Sequence, residues 1–266
     1  KLAYVYDEPI ADISIIPTYA VSELASGHVK AVLSGEGADD LFAGYTWQYD
    51  YMQKMADRTW QQKLAQKLGW PEPLDTIEFY AEAMAMGRFD TQELRKILHP
   101  HMQASIPDDS EWFYREHGRT ELSPLKSIQN MDVQCFMGEL VLTKIDRASM
   151  ANSLEVRVPY LDHELFETLM QVRESCYFQF EQQKVILKNL IEDVMPQEIL
   201  DRSKQGFVGP DSYYQEMGWY RDELLDGHLI RDSIITGEGV QQYLQNADHW
   251  RLWKLLILEK WYREWM

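Results

Sequence analysis

Residues 29–45 read Val29-Lys30-Ala31-Val32-Leu33-Ser34-Gly35-Glu36-Gly37-Ala38-Asp39-Asp40-Leu41-Phe42-Ala43-Gly44-Tyr45. The first five are short, apolar and partly β-branched, which is strand composition. Glycines 35 and 37 follow, and residues 38–45 then begin like a helix. Upstream, Ile16, Ala20 and Leu24, with Tyr19 beside them, set a four-residue stripe over 12–26 that stops near Gly27, as a helix does. Helix, strand, glycine loop, helix is one piece of an α/β layer architecture. One strand does not make a parallel sheet, so partner strands are expected before Lys1.

Beyond Tyr45 the pattern is almost all helical. The spacing predicts helices over 46–68, 74–86 and 91–98, separated by Pro71, Pro73 and Gly87 and closed by Pro100. Residues 106–123 are polar and read as loop. A long helix, continuous or broken once, is predicted over 124–153, and further helices over 161–172, 182–194 and 250–265. Val158 precedes Pro159, which disfavours helical geometry there. No internal repeat is visible.

The loop from Ser34 to Asp40 sits where α/β folds hold ligands, past the carboxyl end of a strand and at the start of a helix. Glycine allows close backbone approach, and free N–H groups at a helix start favour anions. Two aspartates and a glutamate in the same loop would repel a bare phosphate. They make sense if Mg²⁺ bridges them to phosphate oxygens. The plainer reading is that Asp39 and Asp40 complement a helix start and Ser34 caps it. No G-x-x-x-x-G-K-[ST] motif occurs, so this is not a Walker loop.

Composition narrows the class. The 266 residues carry 26 Lys plus Arg against 43 Asp plus Glu, a formal charge of −17, which excludes a whole-chain binder of nucleic acid or of an anionic membrane. With 45% hydrophobic and 12% aromatic residues the chain is not disordered. Cys135 and Cys176 are too few for a disulfide framework, which points to a reducing, cytoplasmic setting. No run of about 18 uncharged apolar residues suggests a membrane span. The start (KLAYVYDEPI) lacks a signal layout and reads as mid-domain sequence, so the chain is expected to be a piece of a longer protein.

Three separated blocks closely resemble signatures of the asparagine synthetase family: Leu33 to Tyr45 (LSGEGADDLFAGY), Lys144 to Asp162 (KIDRASMANSLEVRVPYLD) and Lys204 to Phe207 (KQGF). Their order matches too, and the resemblance runs from Asp7-Glu8-Pro9 to the 256–261 stretch. It implies an α/β fold of the ATP-pyrophosphatase type (adenine nucleotide alpha-hydrolase-like), with the covered part mainly helical. Residues 1–266 would be the C-terminal part of that synthetase domain. A glutaminase domain with an N-terminal cysteine and a Ser-Gly-Gly-x-Asp-Ser phosphate loop would precede Lys1, and without them the isolated chain is expected to be inactive. The implied reaction adenylates a carboxylate, that of aspartate first, with ATP and Mg²⁺. Glutamine-derived ammonia then displaces AMP to form an amide.

Carried over by position, the resemblance makes Ser34, Gly35 and Glu36 contacts of the acyl-adenylate, with Gly37 in the same turn on the nucleotide side. It makes Glu36 the base for attacking ammonia, Asp39 a Mg²⁺ ligand, Lys204 the cation facing the phosphates and Gly206 a point of close approach. Asp40 and Ala43 are mild departures, standing where Glu and Gly are more usual. The apolar run Ile13-Ser14-Ile15-Ile16-Pro17-Thr18 stands where some members place aspartate-binding polar groups, which leaves the acceptor open.

The 131–148 region adds an argument independent of the resemblance. Val133, Phe136, Met137, Leu140 and Val141 form an apolar stripe whose 3.6-residue period lands next on Lys144, Arg147 and Ala148. Inward-facing cations need an anion. Lys144 and Arg147 are therefore read either as a basic wall toward substrate or as members of an ion-pair network with Asp146, Glu155 or Asp162. Arg157, at a helix-to-loop edge, is read as an anion contact or as a partner of Asp162. His99 and His101 lack a third ligand for a metal. Trp250, Trp253, Ile257, Trp261 and Trp265 are read as a helix packed on the core rather than as a partner or membrane face. Two other functions stand beside amide synthesis from aspartate: a related amidotransferase or cyclase acting on another acid in polysaccharide or natural-product assembly, and a non-catalytic interaction module. A homodimer is left open.

Overall fold

The computed structural model describes residues 1–61, 75–119, 121–202, 205–209 and 218–266. Strand β1 (Ala31–Leu33) pairs in parallel with β2 (Glu155–Arg157), in the register Ala31 to Glu155, Val32 to Val156 and Leu33 to Arg157. A partner for β1 thus lies inside the chain, in residues whose sequence suggests a helix-to-loop edge. Three residues with one apolar centre are too short to show a period-two pattern.

The organising element is the continuous helical stretch over 124–150. It begins as α-helix (Pro124–Met131), continues as a π-helix (Asp132–Leu142) and returns to α-helix (Thr143–Met150). Every hydrophobic cluster of the described residues takes side chains from it. Leu125 packs with Leu41, Phe42, Leu169 and Tyr177. Ile128, Met131 and Cys135 pack with Tyr51, Phe79 and Tyr80. Met137, Val141 and Ile145 pack under Val156 and Leu161, and Ala148 reaches the cluster of the C-terminal helix. The π segment explains why the sequence-derived stripe is only partly right. Hydrogen bonding five residues apart widens the turn, so Cys135, Met137 and Val141 are buried while Val133, Phe136 and Leu140 are half-buried.

The first fourteen residues are pinned between this helix and the C-terminal helix His249–Trp265. Three indoles of the latter donate to N-terminal carbonyls: Trp253 to Ala11 (2.7 Å), Trp261 to Asp7 (2.8 Å) and Trp265 to Ala3 (3.1 Å). Leu252, Trp253, Leu255 and Leu256 are buried, so the tryptophan-rich helix packs on the core. Replacing Trp261 by phenylalanine should lower stability by about 1 kcal/mol, chiefly through the half-buried carbonyl left without its donor. Urea unfolding would show a lower midpoint at unchanged slope; an unchanged midpoint would contradict the pin.

Helix starts follow their caps. Asp75, Asp90, Asp162 and Asp248 accept backbone N–H groups at the helices beginning at Thr76, Thr91, His163 and His249. The expected helix over 46–68 ends as Thr46–Ala56, and residues 62–68 lie outside the described residues. The stretch read as loop contains the helix Trp112–His117, held by packing of Phe113 and Tyr114 against the cluster of Phe79 and Tyr80. No helix among the described residues is long and apolar enough to cross a membrane.

Candidate functional site

Ser34 continues the sheet by one bond past β1, its N–H donating to the Arg157 carbonyl at 2.8 Å. The chain then turns at Gly37, whose φ of +88° suits glycine. A Cβ there would lie 2.5 Å from the Leu161 side chain, so β1, the turn and the segment after β2 are packed together. The helix that follows is a single turn, Ala38–Leu41. It does not run to Tyr45 as the sequence suggested, because Ala43 adopts a φ of +54° before the next helix starts at Thr46. So short a helix aligns few peptide dipoles, and anion attraction at its start is weaker than the sequence reading supposed.

The turn carries its acids in graded environments. Glu36 is half-buried. The Asp39 side chain is 16% exposed and lies 2.7 Å from Lys184 Nζ. Asp40 is fully buried, with one carboxylate oxygen accepting from the Tyr45 hydroxyl at 3.2 Å. Burial, reinforced by the charges of Asp39 and Glu36, pushes the Asp40 pKa up to about 7 against the opposing hydrogen bonds. Behind it, Asp132 is buried at the start of the π segment and accepts from Trp47 Nε1 (2.9 Å) and Gln48 Nε2 (2.7 Å). Burial drives its pKa well above the carboxylate range, and the charge of Asp40 adds to the shift.

Lys184 is a site cation that the sequence reading missed. It stands at φ +54° before the helix Val185–Ile191, and nothing in its sequence spacing marks it. Its approach depends on Gly44, where a Cβ would come within 2.5 Å of Lys184 Cε.

The remaining expected residues fall into three groups. Ser34, Gly35, Glu36, Gly37 and Asp39 share the turn, and Arg157 borders it through β2. Arg157 is exposed and pairs with Glu155 at 2.8 Å, not with Asp162, which caps the next helix. Lys144 and Arg147 have partners, but not the expected ones. Lys144 is buried and donates to Asp12 (3.1 Å) and Ser14 Oγ (2.6 Å), and Arg147 pairs with Asp7 at 2.7 Å. Both cations therefore tie down the N-terminal segment, replacing the proposed pairs with Asp146, Glu155 or Asp162. Gly206 is exposed, and Lys204 lies outside the described residues. The His99 and His101 rings meet through their Nδ1 atoms at 2.7 Å.

The donor set indicates which metal chemistry fits. Among the described residues no three His, Cys, Asp or Glu side chains form a metal cage. A carboxylate such as Asp39, with Glu36 in the same turn, suits Mg²⁺ that arrives already bound to phosphate oxygens, because that ion needs only one or two protein carboxylates.

A parallel strand pair running through a glycine turn into helices is an α/β arrangement, the architecture in which ligands bind past the carboxyl ends of strands. The chain belongs to the asparagine synthase family, whose sequence model matches residues 1–263. It is 28% identical to asparagine synthetase [glutamine-hydrolyzing] 1 of Bacillus subtilis over 98% of its own length and 45% of that protein. It is 29% identical to a Mycobacterium bovis protein provisionally named an asparagine synthetase [glutamine-hydrolyzing], over 98% of this chain and 43% of the relative. Amidase chyE of Penicillium rubens is 24% identical over 77% of this chain and 36% of that protein. The chain spans less than half the length of these relatives.

Proposed function

We propose that the chain is part of an ATP-dependent amidotransferase built on the ATP-pyrophosphatase fold, with the turn over 34–40 at its reaction centre. In this reading a carboxylate oxygen of the acceptor, the aspartate side chain first, attacks the α-phosphorus of ATP and pyrophosphate leaves. Ammonia released from glutamine by a separate glutaminase domain attacks the acyl carbon, Glu36 takes the proton, and AMP departs as the amide forms. Ser34, Gly35 and Gly37 allow the adenylate to approach the backbone, and Lys204, Arg157 and Gly206 belong to its phosphate side. Mg²⁺ bound with ATP would neutralise charge on the departing pyrophosphate, with Asp39 as its protein carboxylate.

The observation that carries this reading is that the turn at the end of β1 holds both the half-buried Glu36 and Asp39, the latter met by Lys184 from another part of the chain. Amino-acid-dependent exchange of pyrophosphate into ATP by the whole protein tests it. Aspartate should support exchange; exchange with no carboxylic acid would contradict adenylation.

A second acceptor has an observation in its favour. Ser14, Ile15 and Thr18 are buried, so this segment turns its side chains to the core rather than to a substrate. Exchange driven by another acid but not by aspartate would select the related amidotransferase or cyclase.

A further inference from the structure

The one-turn helix Ala38–Leu41 is too short to hold itself, because a single turn fixes many dihedral angles for very few bonds. Its terminal carbonyls also lack partners within the helix. A side chain from the long helix takes them. Gln129 Nε2 donates to the carbonyls of Asp40 (3.1 Å) and Leu41 (2.7 Å). The other end of the same amide accepts from the Tyr177 hydroxyl at 2.9 Å. The two carbonyls, which can only accept, set the amide's orientation. Flipping it would put an acceptor oxygen against two carbonyl oxygens. Gln48 adds a second arm, reaching the Asp40 carbonyl at 3.3 Å and Asp132 at 2.7 Å. Gln129, Gln48, Tyr177 and Asp132 are each at most 1% exposed, so water cannot readily stand in for a lost bond.

Glu36 and Asp39 lie on this same turn, and their positions depend on where its carbonyl end is held. We infer that Gln129 is a positioning residue for the Glu36–Asp39 turn, its buried amide clamping the turn's carbonyl end from the long helix. The catalytic consequence rests on the adenylation reading above; the clamp itself does not.

Two measurements on the whole protein separate them. Gln129→Met keeps length and bulk but donates nothing, and Tyr177→Phe removes only the hydroxyl that anchors the amide's oxygen. Hydrogen exchange in the peptide covering 35–44 should rise at least about tenfold in Gln129→Met and less in Tyr177→Phe, with peptides of the C-terminal helix unchanged. Turnover to amide should fall at least about tenfold, because small misplacements of reacting groups cost rate. The glutaminase rate and the KM for glutamine should stay at parental values. Unchanged exchange over 35–44, or a rise spread evenly over all peptides, would overturn the clamp. A loosened 35–44 peptide with parental turnover would overturn the positioning role. A parent protein that activates no carboxylate would overturn the adenylation reading, while a selective rise in exchange would still support the clamp.

Discussion

Replacing Glu36 by glutamine in the whole protein is expected to slow amide formation by about 10²–10⁴-fold, the usual worth of a positioned general base. Ammonia attacking an acyl carbon becomes positively charged and must lose a proton for the tetrahedral species to collapse forward. Glutamine has the size of glutamate but cannot take that proton. Formation of the acyl-adenylate needs no proton removed at this position, so pyrophosphate exchange should stay within a few-fold of the parent. The half-buried setting of Glu36 suits the role: it is not sealed like Asp40, and among the described residues it has no ion pair of the kind Asp39 makes with Lys184. Rapid-quench measurement of the two half-reactions is the check. Equal loss of both would give Glu36 a binding role, and an unchanged amide rate would remove it from the chemistry.

The largest expected loss of stability is at Glu259. Its side chain lies on the C-terminal helix, is 1% exposed, and accepts the backbone N–H groups of His228 (2.8 Å) and Leu229 (2.9 Å). Those groups open the helix His228–Arg231, whose N-cap is Gly227 and has no side chain to offer. Gly227 is needed there, because a Cβ would lie 2.6 Å from Glu259 Oε2. Arg263 lies 3.3 Å from the same carboxylate. Glu259→Ala strands one buried and one half-buried donor and should cost about 3 kcal/mol, equivalent to a fall in Tm of about 6–12 °C for a domain of this size. Glu259→Gln should recover only part of this loss, since one of its two ends is a donor facing a donor. A melting temperature equal to the parent's in Glu259→Ala would contradict the capping role.

Much of the turn was legible in residues 29–45, because a strand, two glycines and a cluster of acids are local signals. Leu33 to Gly37 behaves as that pattern suggests, whereas Ala43 and Gly44 end the helix earlier than periodicity alone would have it. What escaped depends on distant partners. Lys144 and Arg147 read either as a wall toward substrate or as partners of nearby acids, yet their carboxylates come from Asp12 and Asp7, 132 and 140 residues away. The β2 strand is too short for alternation, and the π winding moves side chains off a 3.6-residue stripe. Lys184, Gln129 and Gln48 carry no periodic signature at all. Buried amides and a lone lysine become meaningful only when folding sets them against the turn.

The central claim is that a carboxylate is activated by AMP at the 34–40 turn before nitrogen arrives. Incubating the whole protein with ATP, glutamine and an acceptor acid labelled with ¹⁸O in its reacting carboxylate tests this most directly. The account predicts that one labelled oxygen appears in the AMP produced, because the acyl–oxygen bond breaks as ammonia enters. Unlabelled AMP, or label carried into inorganic phosphate alongside ADP, would contradict it.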